Sequence, residues 1–287
     1  MAGKGAYTNN DITRTYRKID DHIDTGRYIL SYSKNTADIR DVALEGLDLR
    51  GVESAIDLGC SYGFFTEKMA PRLGKSAFIT GIDIVDEENR DSFLRIVEAA
   101  GRRGRFIGGS ADQVKHFESR TFDLVVASYS LYFFPHLIGE IGRILRQGGI
   151  FIAVTHTERS LDEIIGLIPG TMSRVGLESS GELAIRRLFR AFSMESGREK
   201  LEEFFDRIET VVYPNKLVFP KENIEDCIDY LYKKRCLLFK EVIDEKPELL
   251  EHVMGEIFGE LKAIAQREGA VEITKSDCIF RCYRPKV

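Results

Sequence analysis

The chain has 287 residues, 43% of them hydrophobic and 30% charged, which excludes disordered, collagenous and disulfide-rich classes and allows one large domain or two small ones. Its 41 basic and 46 acidic residues give a net charge of -5 and are interspersed, so no basic face for a nucleic-acid backbone is expected. No apolar segment reaches the roughly 18 to 20 residues that cross a bilayer, and the N-terminus lacks a signal-peptide core, so the expected location is the cytoplasm. The 5 cysteines are odd in number and form no C-x-x-C pair, so they read as reduced thiols and no metal site is indicated.

Residues 9–50 read as largely helical, with Ile12, Tyr16, Ile19 and Ile23 on one face and Gly26 as an interruption. From about residue 52, short apolar runs alternate with amphipathic stretches, the pattern of strand-helix units with a parallel sheet. Candidate buried strands are 52–58, 77–82, 105–107, 122–127 and 150–154, with helices near 62–72, 88–101, 110–118 and 136–146 between them. Gln147-Gly148-Gly149 reads as a left-handed stop before the fifth strand. After His156 the alternation breaks into helical patterns at 159–168, 179–192 and 196–206, the last opened by a capping box of Ser196 and Glu199. A sixth strand with a Tyr213-Pro214-Asn215 interruption is expected over 207–219, Pro214 and Pro220 marking strand edges, then helices at 221–240 and 246–267 and a last strand at about 270–283. These patterns predict one α/β domain with a helical cap, in preference to two independent domains, in four parts: an N-terminal helical cap segment (1–50), a ligand-binding core (51–156), a helical cap insertion (157–206) and a completion of the core sheet (207–287).

Chemistry concentrates where strands end. The segment Asp57-Leu58-Gly59-Cys60-Ser61-Tyr62-Gly63 passes from the first strand into a helix, the place where open α/β sheets bind ligands. Its spacing departs from the dinucleotide pattern G-x-G-x-x-G, and no G-x-x-x-x-G-K-[ST] loop occurs. An acid at Asp57 beside the turn suits a cationic ligand better than a pyrophosphate. Asp83, followed by Ile84, ends the second strand 24 residues after Gly59, where an acid accepts hydrogen bonds from ribose hydroxyls. Ser110-Ala111-Asp112-Gln113 can set a carboxylate and an amide beside an adenine ring, with Ser110 equally suited to capping the next helix.

These motifs, with Phe122-Asp123-Leu124-Val125-Val126-Ala127, resemble in order and spacing those of class I S-adenosylmethionine-dependent methyltransferases, and the whole is most similar to the small-molecule, type 11 branch. Arg146-Gln147-Gly148-Gly149 stands where that family has Lys-Pro-Gly-Gly, and Ser61 stands where it usually has a middle glycine. The resemblance covers roughly residues 50–285, with named motifs only up to Val154. It implies a Rossmann-like, seven-stranded, mostly parallel sheet with helices on both faces, and S-adenosyl-L-methionine as cofactor. The cofactor-binding residues it implies are Asp57, Gly59, Cys60, Ser61, Gly63, Asp83, Ile84, Ala111, Asp112, Gln113 and Ser128.

The implied reaction is in-line displacement of a sulfonium methyl by a small-molecule nucleophile, which alignment and water exclusion can drive; a base helps where the acceptor must lose a proton. His156 is the candidate base and Tyr129 a residue shaping the transfer site, with Tyr132 beside it; His136 reads as structural. No Asp/Asn-Pro-Pro-Tyr/Phe motif of amino methylation occurs at 128–130, and no acids at 127–134 suggest a metal-dependent catechol-type enzyme. Cys278 and Cys282 share a strand face, which keeps a thiol role open. Tyr7, Tyr16, Tyr28, Phe189 and Phe192 are candidates for an apolar pocket, and Arg186, Arg187 and Arg190 for an acidic substrate or a solvated helix face. A carrier-protein-bound or other macromolecular acceptor, a non-catalytic ligand-binding module of the same fold and a nicotinamide dehydrogenase stay open as alternatives.

Overall fold

The structure, a computed structural model, describes residues 6–177 and 181–286. The start of the chain, where a signal peptide was sought, and the first residues of the helix expected at 179–192 thus lie partly outside the described residues. Nine strands run through the described residues: β1 (Ser54–Leu58), β2 (Phe78–Asp83), β3 (Arg103–Gly108), β4 (Phe122–Ser128), β5 (Leu145–His156), β6 (Phe205–Tyr213), β7 (Lys216–Pro220), β8 (Ala270–Thr274) and β9 (Asp277–Pro285).

The chain divides into two compact units. The first comprises the described parts of Ala37–Thr157, Arg190–Tyr213 and Asp277–Val287, and carries a 7-stranded sheet in the order β3-β2-β1-β4-β5-β9-β6. Only β9 runs antiparallel to its neighbours, so the mostly parallel Rossmann-like sheet expected from the sequence is present. Ala55 to Leu58 and Leu124 to Ala127 are fully buried, as strands covered on both faces must be, which is why they read as unbroken apolar runs. The order reverses between β1 and β4, and this switch opens a crevice at their carboxyl ends. The core beneath it packs Phe65 and Met69 of the helix Phe64–Met69, and Phe93 and Val97 of the helix Glu87–Ala99, against β1 and β2.

The second unit comprises the described parts of Met1–Thr36, Glu158–Phe189 and Pro214–Ser276. It holds helices and a two-stranded antiparallel sheet of β7 and β8. The units divide the chain differently from the expected boundaries: residues 214–276 do not complete the core sheet, and the intervening helical segment ends at Phe189. The expected sixth and last strands each split, because Pro214-Asn215 and Lys275-Ser276 end one strand and begin another in a different sheet.

Other differences have local causes. Gly26 lies inside the helix Ile19–Tyr32, and the break falls at Arg17-Lys18, so Ile12 and Ile23 belong to different helices. Gly148 and Gly149 are extended within β5; a side chain on Gly149 would meet Leu145 Cδ1 at 2.8 Å and the Asp123 carbonyl at 2.9 Å, so the glycine permits close packing and does not stop a helix. Ser196 makes no capping box: its hydroxyl donates to the Arg190 carbonyl at 3.2 Å. The expected helix at 110–118 is a short 3-10 helix, Ala111–His116.

Candidate active site

The glycine loop folds back on the sheet. The amides of Gly59 and Cys60 both donate to the Ile82 carbonyl, at 2.8 and 3.1 Å, and the amide of Gly63 donates to the Cys60 carbonyl at 3.0 Å. These donors point inward, so the loop is not a cradle for phosphate. Ser61 adopts a left-handed φ of 49°, where the resemblance predicts glycine, and its amide donates to Asp83 Oδ2 at 2.8 Å. Cys60 contributes backbone only, since its side chain is buried under β2 and burial pushes its thiol well above the ordinary range.

Two acids lie beneath this loop. Asp57 is buried; its Oδ2 accepts the Thr66 hydroxyl at 2.7 Å, while Oδ1 has no partner among the described residues. Burial, with Asp83 nearby, pushes its carboxyl up to about 7. Asp83 accepts from Ser61 and Val85 amides at 2.8 Å each and from Asn89 Nδ2 at 3.4 Å, and burial raises its carboxyl too. A carboxylate offers about four lone-pair positions, so one remains for a ligand hydroxyl. Ile84 follows it, half-buried. Buried polar atoms without partners among the described residues also include Ser61 Oγ, Asn89 Oδ1 and Ser128 Oγ.

At the end of β3 the Ser110 hydroxyl accepts from the Asp112 amide at 3.2 Å, so Ser110 does cap the 3-10 turn. Asp112 is engaged on both oxygens, by Ser110 at 2.9 Å and by Lys115 at 2.5 Å, with His136 Nε2 at 3.4 Å. Lys115 and Ser110 hold its carboxyl down at about 2. Ala111 is buried at the start of the turn and Gln113 is half-buried beside Gly109.

The candidate base has a partner that the sequence reading missed. His156 ends β5 and pairs in register with Asp277, the first residue of β9, which in turn pairs with Tyr213. His156 Nδ1 lies 2.8 Å from Asp277 Oδ1, and the Tyr129 hydroxyl donates to Asp277 Oδ2 at 2.8 Å. The rings of Tyr129 and Tyr132 lie 4.8 and 5.8 Å from that of His156. Tyr129 is itself left-handed, with φ 53°, and burial raises its phenol far above the ordinary value, so it stays a donor. Reading 270–283 as one strand hid Asp277; the polar run Lys275-Ser276-Asp277 ahead of an apolar segment was the available signal.

The remaining candidates sit elsewhere. Burial pushes the Cys278 thiol up to about 12 and raises Cys282, so both are protonated and poorly nucleophilic. Phe192 packs edge-on against Phe280 in the core, at 5.7 Å between ring centroids, and Phe189 is buried. Tyr7 donates to the Leu237 carbonyl at 2.6 Å, Tyr16 stacks on His22 at 5.0 Å, and Tyr28 donates to Asp229 at 2.8 Å, all within the second unit. Arg186 pairs with Asp162, and Arg187 donates to the Glu182 carbonyl. Among the described residues no cluster of three or more His, Cys, Asp or Glu could hold a metal, and no helix is long and apolar enough to cross a membrane.

A crevice at a sheet's topological switch, floored here by two buried acids, is where an open α/β sheet binds its ligand. Residues 56–153 match the Methyltransf_11 family, described as a methyltransferase domain. The chain is similar to aklanonic acid methyltransferase DauC of Streptomyces sp. (strain C5), 31% identical over 34% of this chain and 45% of that protein. It is also similar to demethylmenaquinone methyltransferase of Anoxybacillus flavithermus, 22% identical over 52% of this chain and 64% of that one. The matches thus span between about half and two thirds of these relatives' length. Among solved structures, a putative methyltransferase (BH2331) from Bacillus halodurans C-125 shares the fold, with a TM-score of 0.53 and 17% identity over 86% of this chain and 99% of that one.

Proposed function

We propose that this chain is an S-adenosylmethionine-dependent methyltransferase acting on a small-molecule acceptor. The observation that carries the reading is the set of buried, unpartnered polar atoms around the carboxyl ends of β1, β2 and β4: Asp57 Oδ1, Ser61 Oγ, Asn89 Oδ1 and Ser128 Oγ. Each such atom costs ~1 to 3 kcal/mol when left without a partner, so four together mark a site completed by a polar ligand. The chemistry of the set fits this cofactor. Asp57, buried and waiting for positive charge, suits an ammonium, and the open position on Asp83 suits a ribose hydroxyl.

Gly59, Cys60, Ser61 and Gly63 would line the cofactor with backbone, Ile84, Ala111, Asp112 and Gln113 would bracket the adenine, and Ser128 would reach the methionine end. The bound cofactor supplies an electrophilic methyl carbon on a sulfonium, with a neutral thioether as leaving group. The chain's own part is to orient the acceptor, exclude water and, through His156 with Tyr129 beside it, hold a proton. The relatives named for aklanonic acid and demethylmenaquinone support a small acceptor, and 41 basic against 46 acidic residues support neither nucleic acid as acceptor nor an anionic membrane as partner. We read the location as cytoplasmic, and the cap role of residues 1–50 and 157–206 as part of this proposal.

Calorimetry with S-adenosylmethionine, using NAD as control ligand, tests the cofactor. Binding to the parent and its loss in Asp83→Ala are expected; no binding to the parent sinks the reading. Transfer of radiolabel from the cofactor into a cell extract, followed by size fractionation, tests the acceptor. Label in the low-mass fraction is expected, and label confined to protein or RNA would overturn a small acceptor.

A further inference from the structure

We propose that Asp277 is a positioning residue for His156, and that the pair selects an acceptor bearing a weakly acidic O–H, a phenol or enol, over a carboxylate or a tertiary amine. The inference rests on the methyltransferase reading and deepens it. In this proposal Asp277 is ionised and only accepts hydrogen bonds, so its Oδ1, 2.8 Å from His156 Nδ1, takes the proton carried there. In the same proposal the ring is neutral before transfer, with its lone pair on Nε2. The second oxygen of Asp277 takes the Tyr129 hydroxyl at 2.8 Å, which fixes the carboxylate plane, and Tyr129 and Tyr132 flank the ring. Asp277 is 2% exposed and His156 is half-buried, so water competes weakly for either contact.

The backbone of Tyr129 supports a functional origin. A left-handed tyrosine is strained, and such strain persists where the surrounding structure demands it, often at active sites. It begins the loop after β4, at the edge of the same crevice.

The proton balance follows from this geometry. The acceptor O–H breaks with its electron pair staying on oxygen, free to form the new bond to carbon, while the proton moves to Nε2 and makes an imidazolium that Asp277 stabilises before solvent removes the proton. A carboxylate acceptor arrives without a proton to give and meets a second carboxylate behind the ring. A tertiary amine has no N–H, so neither uses this device.

Three measurements on the full chain test it. Nitrogen-15 NMR of the histidine rings should show His156 protonated on Nδ1 in the parent and redistributed toward Nε2 in Asp277→Asn. In label transfer to a metabolite extract, the product should keep its methyl through mild alkaline hydrolysis, as ethers and C-methyl groups do and esters do not. Asp277→Asn should slow that transfer by ~10²-fold, the scale of base catalysis, with cofactor affinity changed less than about two-fold. Should Asp277→Asn fail to fold, His156→Ala rescued by added imidazole serves instead. A parent ring protonated on Nε2, an alkali-labile label, or full-rate transfer in the Asn variant overturns the proposal, as does a cofactor-binding parent that labels nothing. Absence of cofactor binding overturns the underlying reading instead.

Discussion

A methyl group on Gly59 would lie 2.5 Å from the Cβ of Ser130, so the turn after β1 and the loop after β4 close on each other with no room for a side chain. The Ser130 hydroxyl donates to the Leu58 carbonyl at 2.6 Å and locks the approach. Gly59 also sits at φ 72°. Gly59→Ala should therefore destabilise the chain by roughly 2 to 4 kcal/mol, combining left-handed strain with overpacking. Adding Ser130→Gly removes the clash but not the strain, so the double variant should recover part of the lost Tm. Full recovery, or none, in thermal melts would show that one of these two effects is not acting.

The environment of Asp57 gives a pH signature. Its carboxyl stands at about 7 in the folded chain against 3.8 when exposed. A raised acid favours the folded state while protonated, so its contribution is fully present below 3.8 and is lost as pH rises through the window up to about 7. That difference corresponds to up to about 4 kcal/mol. Asp57→Asn keeps an acceptor for the Thr66 hydroxyl and should raise stability above about pH 7 while leaving it unchanged near pH 4. Denaturant melts at both pH values check this. The same variant should bind a cationic ligand at least about ten-fold more weakly, and in the parent affinity should rise from about pH 6 to pH 8, with proton release on binding at the lower value.

The parts legible in sequence were those whose physics is local. β1 and β4 were readable because burial on both faces demands unbroken apolar runs, and Asp57 and Asp83 because they end such runs beside a small-residue turn. His156 was placed at a strand end by the same logic. Pairing across the sheet was not legible. Asp277 lies 121 residues from His156 and meets it only because β9 inserts between β5 and β6. The split of residues 207–219 between two sheets, and the return of the chain at Asp277, depend on which tertiary partner each half finds, and an alternating apolar pattern is the same for either partner.

Tyr129 provides a test of the buried carboxylate. Tyr129→Phe keeps the ring against His156 but removes the donor to Asp277 Oδ2, leaving a buried charged oxygen short of one bond. Loss of a hydrogen bond to a charged group costs ~1.5 to 3 kcal/mol. A drop in stability of that size, read from denaturant midpoints at unchanged slope, is expected together with unaltered cofactor affinity. A variant as stable as the parent would mean that the hydroxyl contact contributes nothing.

Asp83 separates a structural from a ligand-binding role. Its oxygens satisfy two backbone amides, those of Ser61 and Val85, each at 2.8 Å, and the first of these holds Ser61 in its left-handed conformation. Asp83→Ala leaves both amides without their acceptor and should cost ~2 to 5 kcal/mol. Asp83→Asn is isosteric, yet it must turn an NH2 toward one of those amides, donor against donor. Its stability without ligand should therefore fall close to that of the alanine variant. Affinity for S-adenosylmethionine should fall at least about ten-fold in both, since the loop and the hydroxyl acceptor are lost together. An Asn variant with parental stability and parental affinity would show that Asp83 neither shapes the loop nor meets the ligand, and the site would have to be sought away from the β1 and β2 ends.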